Sequence, residues 1–353
     1  MKLITKYLLA KYLKYFFIIL FSLEIFFIGF DFINTADKLP KSANLQLLYL
    51  AYNSFFILTI TLPLSIIFAW IVTLTHLIKE NTLISFYALG VSKKKVILPI
   101  VSLGIILTLL LIGLQSTELA YAKEEQTKIL NNKYFSNEKS NILLKYNNNF
   151  VYFQKLYPLE KKAENIKIFK LEDNQLVETI LAKSAYYENN KWYVSDAKVI
   201  TKPKKLDWDT SKLDIRYEKS LSTLEGFRPQ IINNVYKANI EYSVTDALYT
   251  IILFDKQGLN TDKIRAILYS KIFVPFMVIP LLVLFFAYSS VSGRFFKMGQ
   301  FVSITILLAL GMWGVFFLLQ KIATASLVVP EIALLAPLLL LILFSMFVYG
   351  RRI

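Results

Sequence analysis

Six long apolar runs constrain this chain more than any other feature of its sequence. A helix that crosses a bilayer needs about 20 mostly apolar residues, because each residue rises about 1.5 Å and the hydrocarbon core is about 30 Å thick. Runs of this kind cover residues 15–32, 45–78, 96–117, 272–291, 301–320 and 332–349. The second run is too long for one perpendicular crossing, so we predict a tilted or projecting helix with a possible kink point at Pro63. The sequence therefore predicts six transmembrane helices, three before and three after a long polar segment.

The basic residues of the short loops predict the orientation of these helices. Lysine and arginine concentrate in cytoplasmic loops, whereas long polar domains cross the membrane regardless of their charge. One side carries twelve such residues: Lys2, Lys6, Lys11, Lys14, Lys79, Lys93, Lys94, Lys95, Arg294, Lys297, Arg351 and Arg352. The other side carries three: Lys38, Lys41 and Lys321. We therefore expect both termini in the cytoplasm and the polar segment outside it.

Composition and motifs exclude several kinds of chemistry. The chain has no cysteine and a single histidine, His76, so it offers no thiolate ligand, no multi-histidine zinc site and no histidine triad. No G-x-x-x-x-G-K-[ST] run is present to cradle a nucleotide phosphate. The net charge of +15 is scattered through membrane flanks and mixed-charge stretches, which argues against nucleic-acid binding. We therefore expect no enzymatic activity, metal, cofactor or nucleic-acid partner, and an energy source outside the chain.

The polar segment has the pattern of a β domain. Short runs rich in Val, Ile, Tyr and Phe alternate with Asn and Asp clusters from residue 141 onward. Three hairpins are predicted, pairing residues 142–146 with 150–154, 166–171 with 175–181, and 185–188 with 191–195. Asparagines in their turns tolerate positive φ. We expect a sandwich or open barrel, followed by helices that start near Ser243 and Thr261.

Polar residues in the first half of the chain suggest two further sites. Glu24 lies near the middle of the first apolar run, where an ionisable group is costly, and we favour a contact with a polar substrate or a partner helix. For Asp31, near the outer interface, a snorkelling or neutralised carboxyl is the simpler explanation.

Residues 79–95 predict an amphipathic helix ended by Gly90, which either docks a cytoplasmic partner or packs on the membrane surface. The lysines of residues 2–14 predict either an interfacial helix or ordinary positive flanking.

The chain has the order three spans, β domain and three spans, with distinctive segments at residues 89–92, 148–152, 166–169 and 269–275. In this order and in these segments it resembles the lipopolysaccharide-export permeases of the LptF/LptG type along nearly its whole length. The first segment is similar to the family's coupling helix, the next two to its opening strands, and the last to its second half. The resemblance favours the LptG branch. It implies a membrane α-helical fold with an inserted periplasmic β-jellyroll, in three parts. These are residues 1–120 with the interfacial helix, three spans and coupling helix 79–95, residues 121–265 with the jellyroll and a linker helix, and residues 266–353 with three spans.

The resemblance also implies a function and its partners. The chain would be a permease subunit of an ABC transporter in the inner membrane, extracting lipopolysaccharide and passing it to periplasmic bridge proteins. A second homologous permease would complete a heterodimer among membrane lipids, and a cytoplasmic ATPase dimer would supply the energy. A lipoprotein-releasing permease is the alternative within transport, although four spans are expected there. A membrane scaffold whose β domain only binds a periplasmic partner is the alternative outside it.

Individual residues acquire expected roles from the same resemblance. The contact with the ATPase is expected at Leu83, Phe86, Ala88 and Gly90. The lipid phosphates are expected to bind at Lys38 and Lys41. The path of the acyl chains is expected to pass Phe26, Phe150 and Tyr152. Two positions depart from the family pattern. Asp31 stands about where some relatives have a lysine, and Thr82 stands where an acidic residue of the coupling helix is often found.

Overall fold

The computed structural model describes residues 2–131, 139–147, 149–157, 160–172, 175–203, 212–227, 241–255, 260–292, 294 and 296–353. These residues divide into two units. The helical unit comprises Met1–Leu130, Tyr242–Asp255 and Asn260–Ile353, and the β unit lies between residues 131 and 241. The helices next to the strands belong to the helical unit, so the β unit is narrower than the inserted domain of residues 121–265 expected from the sequence.

The α-helices of the described residues all lie in the helical unit. They are α1 Lys2–Thr35, α2 Ala43–Lys79, α3 Thr82–Ala88, α4 Lys93–Gln115, α5 Ala122–Leu130, α6 Val244–Asp255, α7 Asp262–Ile272, α8 Val278–Ala287, α9 Met298–Thr324 and α10 Ala336–Arg352. Short 3-10 turns cover Ala36–Lys38, Glu118–Tyr121 and Val274–Met277, and a π-helical turn, Glu331–Leu335, leads into α10.

Five stretches of this unit are long and apolar enough to cross a membrane: α1, α2, α4, α9 and Glu331–Arg352. The pair α7 and α8 passes the same test together but is bent by 42°. The break follows from Pro275 in the turn between them, because proline has no N–H to donate to a preceding carbonyl. The sequence predicted one continuous span over residues 272–291, and the six-span count holds only if this bent pair is one crossing.

Helices α1, α2 and α8 pack around Trp70. Its indole nitrogen donates to the carbonyl of Leu282 on α8 over 3.0 Å, and the hydroxyl of Tyr12 on α1 donates to the carbonyl of Ile66 on α2 over 3.0 Å. These side chains are fully buried, so each polar atom has found a partner where no water reaches it. The helix α1 runs unbroken from Lys2 to Thr35, so the segment predicted as interfacial continues directly into the first apolar run.

The β unit is a six-stranded antiparallel sheet in which each strand pairs with the next in sequence. Its strands are β1 Lys139–Tyr146, β2 Asn149–Tyr157, β3 Lys162–Glu172, β4 Gln175–Glu188, β5 Lys191–Thr201 and β6 Asp214–Thr223. The three predicted hairpins are confirmed. Asn189 and Asn190 have φ of 46° and 64°, as a two-residue turn with two left-handed positions requires. Asn148 and residues 173–174, predicted in the other turns, lie outside the described residues. A jelly roll uses Greek-key connections, and the described strands show a simple meander, so the jellyroll is not confirmed.

One face of the sheet forms a curled apolar core. The rings of Phe153 on β2 and Trp192 on β5 lie 5.4 Å apart, although three strand spacings of about 4.8 Å separate these strands in a flat sheet. The sheet must therefore bend around them. The indole of Trp192 donates to the carbonyl of Phe227 over 2.6 Å, which satisfies its N–H in the buried core.

Two helix starts were predicted after the strands, and they differ in outcome. At α6 the Ser243 hydroxyl accepts from the backbone N–H of Asp246 over 3.1 Å, which confirms the predicted cap. At α7 the side chain of Thr261 makes no capping bond, and the Asn260 side chain accepts from the N–H of Asp262 over 2.7 Å instead. The start is where the sequence placed it, but the capping residue is one position earlier.

Candidate functional site

Two long helices of the helical unit leave most of their apolar surface uncovered. Only 11% of the most apolar window of α1 and 17% of that of α9 is buried, against 61% for α2. Phe26, which the sequence predicted along an acyl path, is 63% exposed and its ring stacks with that of Phe30 at 6.4 Å. These two helices therefore present long apolar faces to whatever surrounds the chain.

The carboxyl group of Glu24 faces the neighbouring helix from the middle of α1. The hydroxyl of Thr61 on α2 donates to its Oε1 atom, and Glu24 is half-buried. One turn further along α2, the hydroxyl of Ser65 is buried without a hydrogen-bond partner in the described part of the chain. An ionisable group in the middle of α1 thus has a polar strip of α2 beside it, which lowers the cost of placing it there.

A buried polar network lies at the end of α1 that leads into Lys38. Asp31 Oδ2 accepts from the Tyr49 hydroxyl over 2.5 Å and from the side-chain amide of Gln126 over 3.0 Å. The same amide donates to Asn53 over 2.9 Å, while Thr35 lies 2.9 Å from the Tyr49 hydroxyl. The network joins α1, α2 and α5, so Asp31 is a structural acceptor. Sequence reasoning missed Tyr49, Asn53 and Gln126, although a polar Asn53 inside an apolar run was a usable signal.

Lys38 and Lys41 follow this network in the loop between α1 and α2. Both are exposed, and neither forms an ion pair or a side-chain hydrogen bond with the residues that the structure describes. An uncompensated ammonium group at the edge of an apolar surface is suited to binding an anion such as phosphate. The position of these two lysines is compatible with the phosphate contact predicted from the resemblance, which stays a prediction.

At the opposite end, the short helix α3 is anchored by one face and exposes the other. Leu83 and Phe86 are 1% and 8% exposed and belong to the core around Trp70, whereas Leu89 is 75% exposed. Gly90 has φ of +75°, and the N–H groups of Val91 and Gly90 donate to the carbonyls of Phe86 and Tyr87. This is the Schellman pattern that ends a helix at a left-handed glycine. Of the four predicted contact residues, Ala88 and Gly90 are therefore exposed and Leu83 and Phe86 are buried.

The first turns of α1 are fastened to the segment between α2 and α3. Lys11 forms a salt bridge with Glu80, and its hydrogen bond holds the pKa of the Glu80 carboxyl below its ordinary value. His76 lies 3.7 Å from the same carboxylate and stacks on Tyr15 with ring centres 5.1 Å apart. The histidine that the sequence singled out thus takes part in a junction between α1 and α2.

A further junction joins the ends of α4 and α6. The Tyr121 hydroxyl donates to the carboxylate of Asp246, and burial, followed by this hydrogen bond, raises the pKa of Tyr121 to about 12. The phenol therefore stays neutral at physiological pH and can act as the donor. The contact ties the 3-10 turn between α4 and α5 to the start of α6.

The β unit separates its two faces clearly. Val151 and Phe153 point into the buried core, while the intervening Phe150 and Tyr152 lie on the other face. Phe150 is 37% exposed, and the Tyr152 hydroxyl donates to the Asn141 side chain over 2.8 Å. The two aromatic residues predicted on the acyl path therefore lie on the outer face of the sheet.

Comparison with known proteins gives one match over nearly the whole chain. A family model described as lipopolysaccharide export system permease LptF/LptG matches residues 6–351. No curated protein matches the chain. The matched range includes the exposed faces of α1 and α9, the anchored helix α3 and all the described strands.

Proposed function

Because the chain belongs to the LptF/LptG family of lipopolysaccharide export permeases, we propose that it is one of two permease subunits of an ABC transporter that extracts lipopolysaccharide from the inner membrane. The family makes it a multi-pass inner-membrane component of the export system. The observation that supports the finer proposal is the exposure of α1 and α9, whose apolar faces are uncovered in the single chain. Apolar helix faces of this length suit both a second permease and the acyl chains of a large amphiphile.

In the proposed mechanism α1 and α9 line a lipid cavity together with the helices of the second permease. Phe26 lies on the acyl side of this cavity, and the ammonium groups of Lys38 and Lys41 hold lipid phosphates at its outer end. The network around Asp31 and Tyr49 keeps the end of α1 on α2, so that the two lysines stay at a defined position. Phosphate binding therefore orients the lipid before it moves.

Helix α3 couples this cavity to a separate cytoplasmic ATPase. Ala88 and Leu89 form the exposed side that meets the ATPase, and Leu83 and Phe86 anchor the helix to the membrane core. Gly90 ends α3 sharply, which places its exposed side in a fixed direction. The salt bridge from Glu80 to Lys11 passes a displacement of α3 to α1. ATP hydrolysis itself belongs to the ATPase subunit.

The β unit receives the lipid and hands it to periplasmic bridge proteins. In this proposal the acyl path runs past Phe150 and Tyr152, because Phe150 is exposed and Tyr152 half-buried on the outer face of the sheet. The buried face around Phe153 is apolar too, but its own side chains fill it. Lipid contact at Phe150 needs no opening of the sheet, whereas contact at Phe153 does.

Site-specific photocrosslinking tests the transport proposal. A photoreactive residue at Phe26 should capture lipopolysaccharide in cells, while the same residue at Phe16, which is 2% exposed on the same helix, should not. In the β unit the matched pair is Phe150 and Phe153, and capture at Phe150 alone supports the outer path. A scaffold without transport captures lipid at none of these positions, and capture of lipoproteins instead of lipopolysaccharide supports the lipoprotein-releasing alternative.

Co-purification tests the coupling proposal. The Ala88→Arg substitution places a charge on the exposed side of α3 and should abolish recovery of an ATPase with the chain. The Met298→Arg substitution, at an exposed position at the start of α9, is the matched control and should leave recovery unchanged. Unchanged ATPase recovery with Ala88→Arg would remove α3 from the interface.

A further inference from the structure

A long apolar groove lies on the helical unit between α4, the bend before α8, and α10. Its volume of about 580 Å³ is in the range of ligand-binding pockets. It follows α10 from Leu335 to Tyr349, a distance of about 20 Å at about 1.5 Å per residue. Its polar wall residues are Ser345 and Tyr349, and the Ser345 hydroxyl donates to the carbonyl of Pro280 over 3.4 Å. An apolar groove of this length and volume suits an extended hydrocarbon chain.

The broken span accounts for the groove. Phe273 and Phe276, on either side of Pro275 in the broken segment, and Ile279 at the start of α8 form its wall opposite α10. The 42° bend moves α7 off the axis of α8, so the bent pair does not fill the space beside α10 along its whole length. Deeper in the unit α4 and α8 touch, because Gly104 lets the side chain of Leu282 approach closely. The groove is therefore a consequence of the bend and not of loose packing throughout.

Three basic residues lie near the Tyr349 end of the groove. Lys94 Nζ lies 5.5 Å from the ring centre of Tyr349, which itself lines the groove. Lys93 donates to the carbonyl of Arg352 over 2.6 Å, and the Arg352 guanidinium lies 4.1 Å from the ring centre of Tyr288. No carboxylate in the described part of the chain pairs with these three cations, in contrast to Lys11, which has Glu80. The mouth of the groove thus carries positive charge that the protein does not neutralise.

We propose that this groove binds one anionic phospholipid, with an acyl chain along α10 and its phosphate beside Lys94 and Arg352. Cations gathered where an apolar groove between membrane helices meets the surface supply what such a lipid needs, a hydrocarbon channel and charge-assisted hydrogen bonds to the phosphate. The site involves neither α1 nor α9. It therefore goes beyond the proposed export path and holds a resident lipid instead of the cargo.

The general preference for basic residues on one side of a membrane also explains the sign of these charges. That preference predicts no selectivity for a lipid and no link between the charges and the groove. A phospholipid site predicts selectivity for an anionic lipid and a link between the charges and the groove. The affinity for the same lipid must fall when either the cations or the groove residues are changed. Substituting the basic residues and the groove residues in separate variants distinguishes the two explanations.

The experiment uses the full chain in nanodiscs of phosphatidylethanolamine and phosphatidylglycerol, with a phosphatidylglycerol probe that carries a photoactivatable acyl chain. The charge variant combines Lys94→Gln with Arg352→Gln, and its control combines Lys6→Gln with Lys14→Gln, two exposed lysines of α1. The groove variant is Leu339→Trp, and its control is Leu340→Trp, the neighbouring exposed residue that does not line the groove. Labelling is mapped by mass spectrometry of peptides, after gel filtration has shown that each variant is folded.

The expected result is labelling of α10 or α4 peptides that falls at least tenfold in the charge variant, at about fivefold for each basic residue. Leu339→Trp should lower the same labelling, and both controls should keep it. Equal labelling by a phosphatidylethanolamine probe would overturn the proposal, as would displacement by soluble glycerol phosphate or by lipopolysaccharide. Loss of labelling when the second permease is co-purified would assign the groove to a protein interface. If Leu339→Trp does not fold, the surface charge variant decides alone.

Discussion

Helices α1 and α2 are nearly equal in mean hydropathy, 2.3 and 2.4, yet 11% of one apolar window and 61% of the other is buried. The second helix is the centre of the helical unit, since Trp70 and its neighbours contact α1 and α8 from it. The first packs on α2 along one side, through residues such as Phe16 and Glu24, and exposes the rest of its surface. Helices of similar hydropathy thus form the core in the case of α2 and an uncovered surface in the case of α1. Hydropathy does not distinguish the two, because lipid tails are as apolar as the interior of the protein.

The largest expected effect comes from the centre of α2. Trp70→Ala should lower the free energy of unfolding by about 3–5 kcal/mol, because it leaves a cavity in the buried core and removes the hydrogen bond from the indole to α8. Phe26→Ala on exposed α1 should change stability by less than about 0.5 kcal/mol while reducing lipid capture. Thermal unfolding in detergent measures both. Equal losses in the two variants would remove the distinction between the helices.

A pair of glycines on α4 extends the comparison. Gly104→Val should lower the free energy of unfolding by about 2–3 kcal/mol. A Cβ atom added at this glycine would lie only 3.0 Å from Leu282 Cδ1, and valine adds two methyl groups beyond it. Gly113→Val, on the same helix with nothing within 4 Å, should cost little. The difference in melting temperature between the two variants is the measurement, and a difference near zero contradicts the close packing of α4 on α8.

The polar network of Asp31, Tyr49 and Gln126, which holds α1 on α2, should contribute less to stability. Gln126→Ala removes the amide that donates to Asp31 and Asn53, and we expect a loss of about 1–2 kcal/mol. Thr127→Ala, at the exposed neighbouring position on α5, is the control. Hydrogen exchange at the end of α1 should rise only in Gln126→Ala, and unchanged exchange there would show that the network does not hold α1.

The smallest effect is the pH dependence of the salt bridge between Lys11 and Glu80. The pKa of Glu80 is lowered from 4.5 by the hydrogen bond from Lys11, so its contribution is present above that value and is lost as pH falls through the lowered pKa. The pair is partly exposed, so the effect on stability is small. Melting curves of the wild type and Glu80→Gln should therefore converge in acid. A constant difference at all pH values would contradict the assignment.

Local patterns predicted the elements well and their surroundings poorly. The hairpins came from apolar runs between asparagines, and the helix end at Gly90 came from glycine alone, because both depend on the conformations of a few consecutive residues. The bend between α7 and α8 was missed, although Pro275 was visible, since proline is tolerated in membrane helices when neighbours satisfy the freed carbonyls. The outer position of Phe150 and Tyr152 was undecided, because aromatic residues occur on both faces of β2.

The sequence by itself determined that the chain has the apolar helices of a multi-pass membrane protein and an inserted β unit. The hydropathy of a segment and the turn preference of its residues depend only on a few consecutive positions, so both can be evaluated without knowing the fold. Only the tertiary structure decided which apolar helices are covered, and that Leu83 and Phe86 anchor α3 while Ala88 remains exposed. Burial depends on partners far along the chain, as in the hydrogen bond between Trp70 and Leu282, which are 212 residues apart.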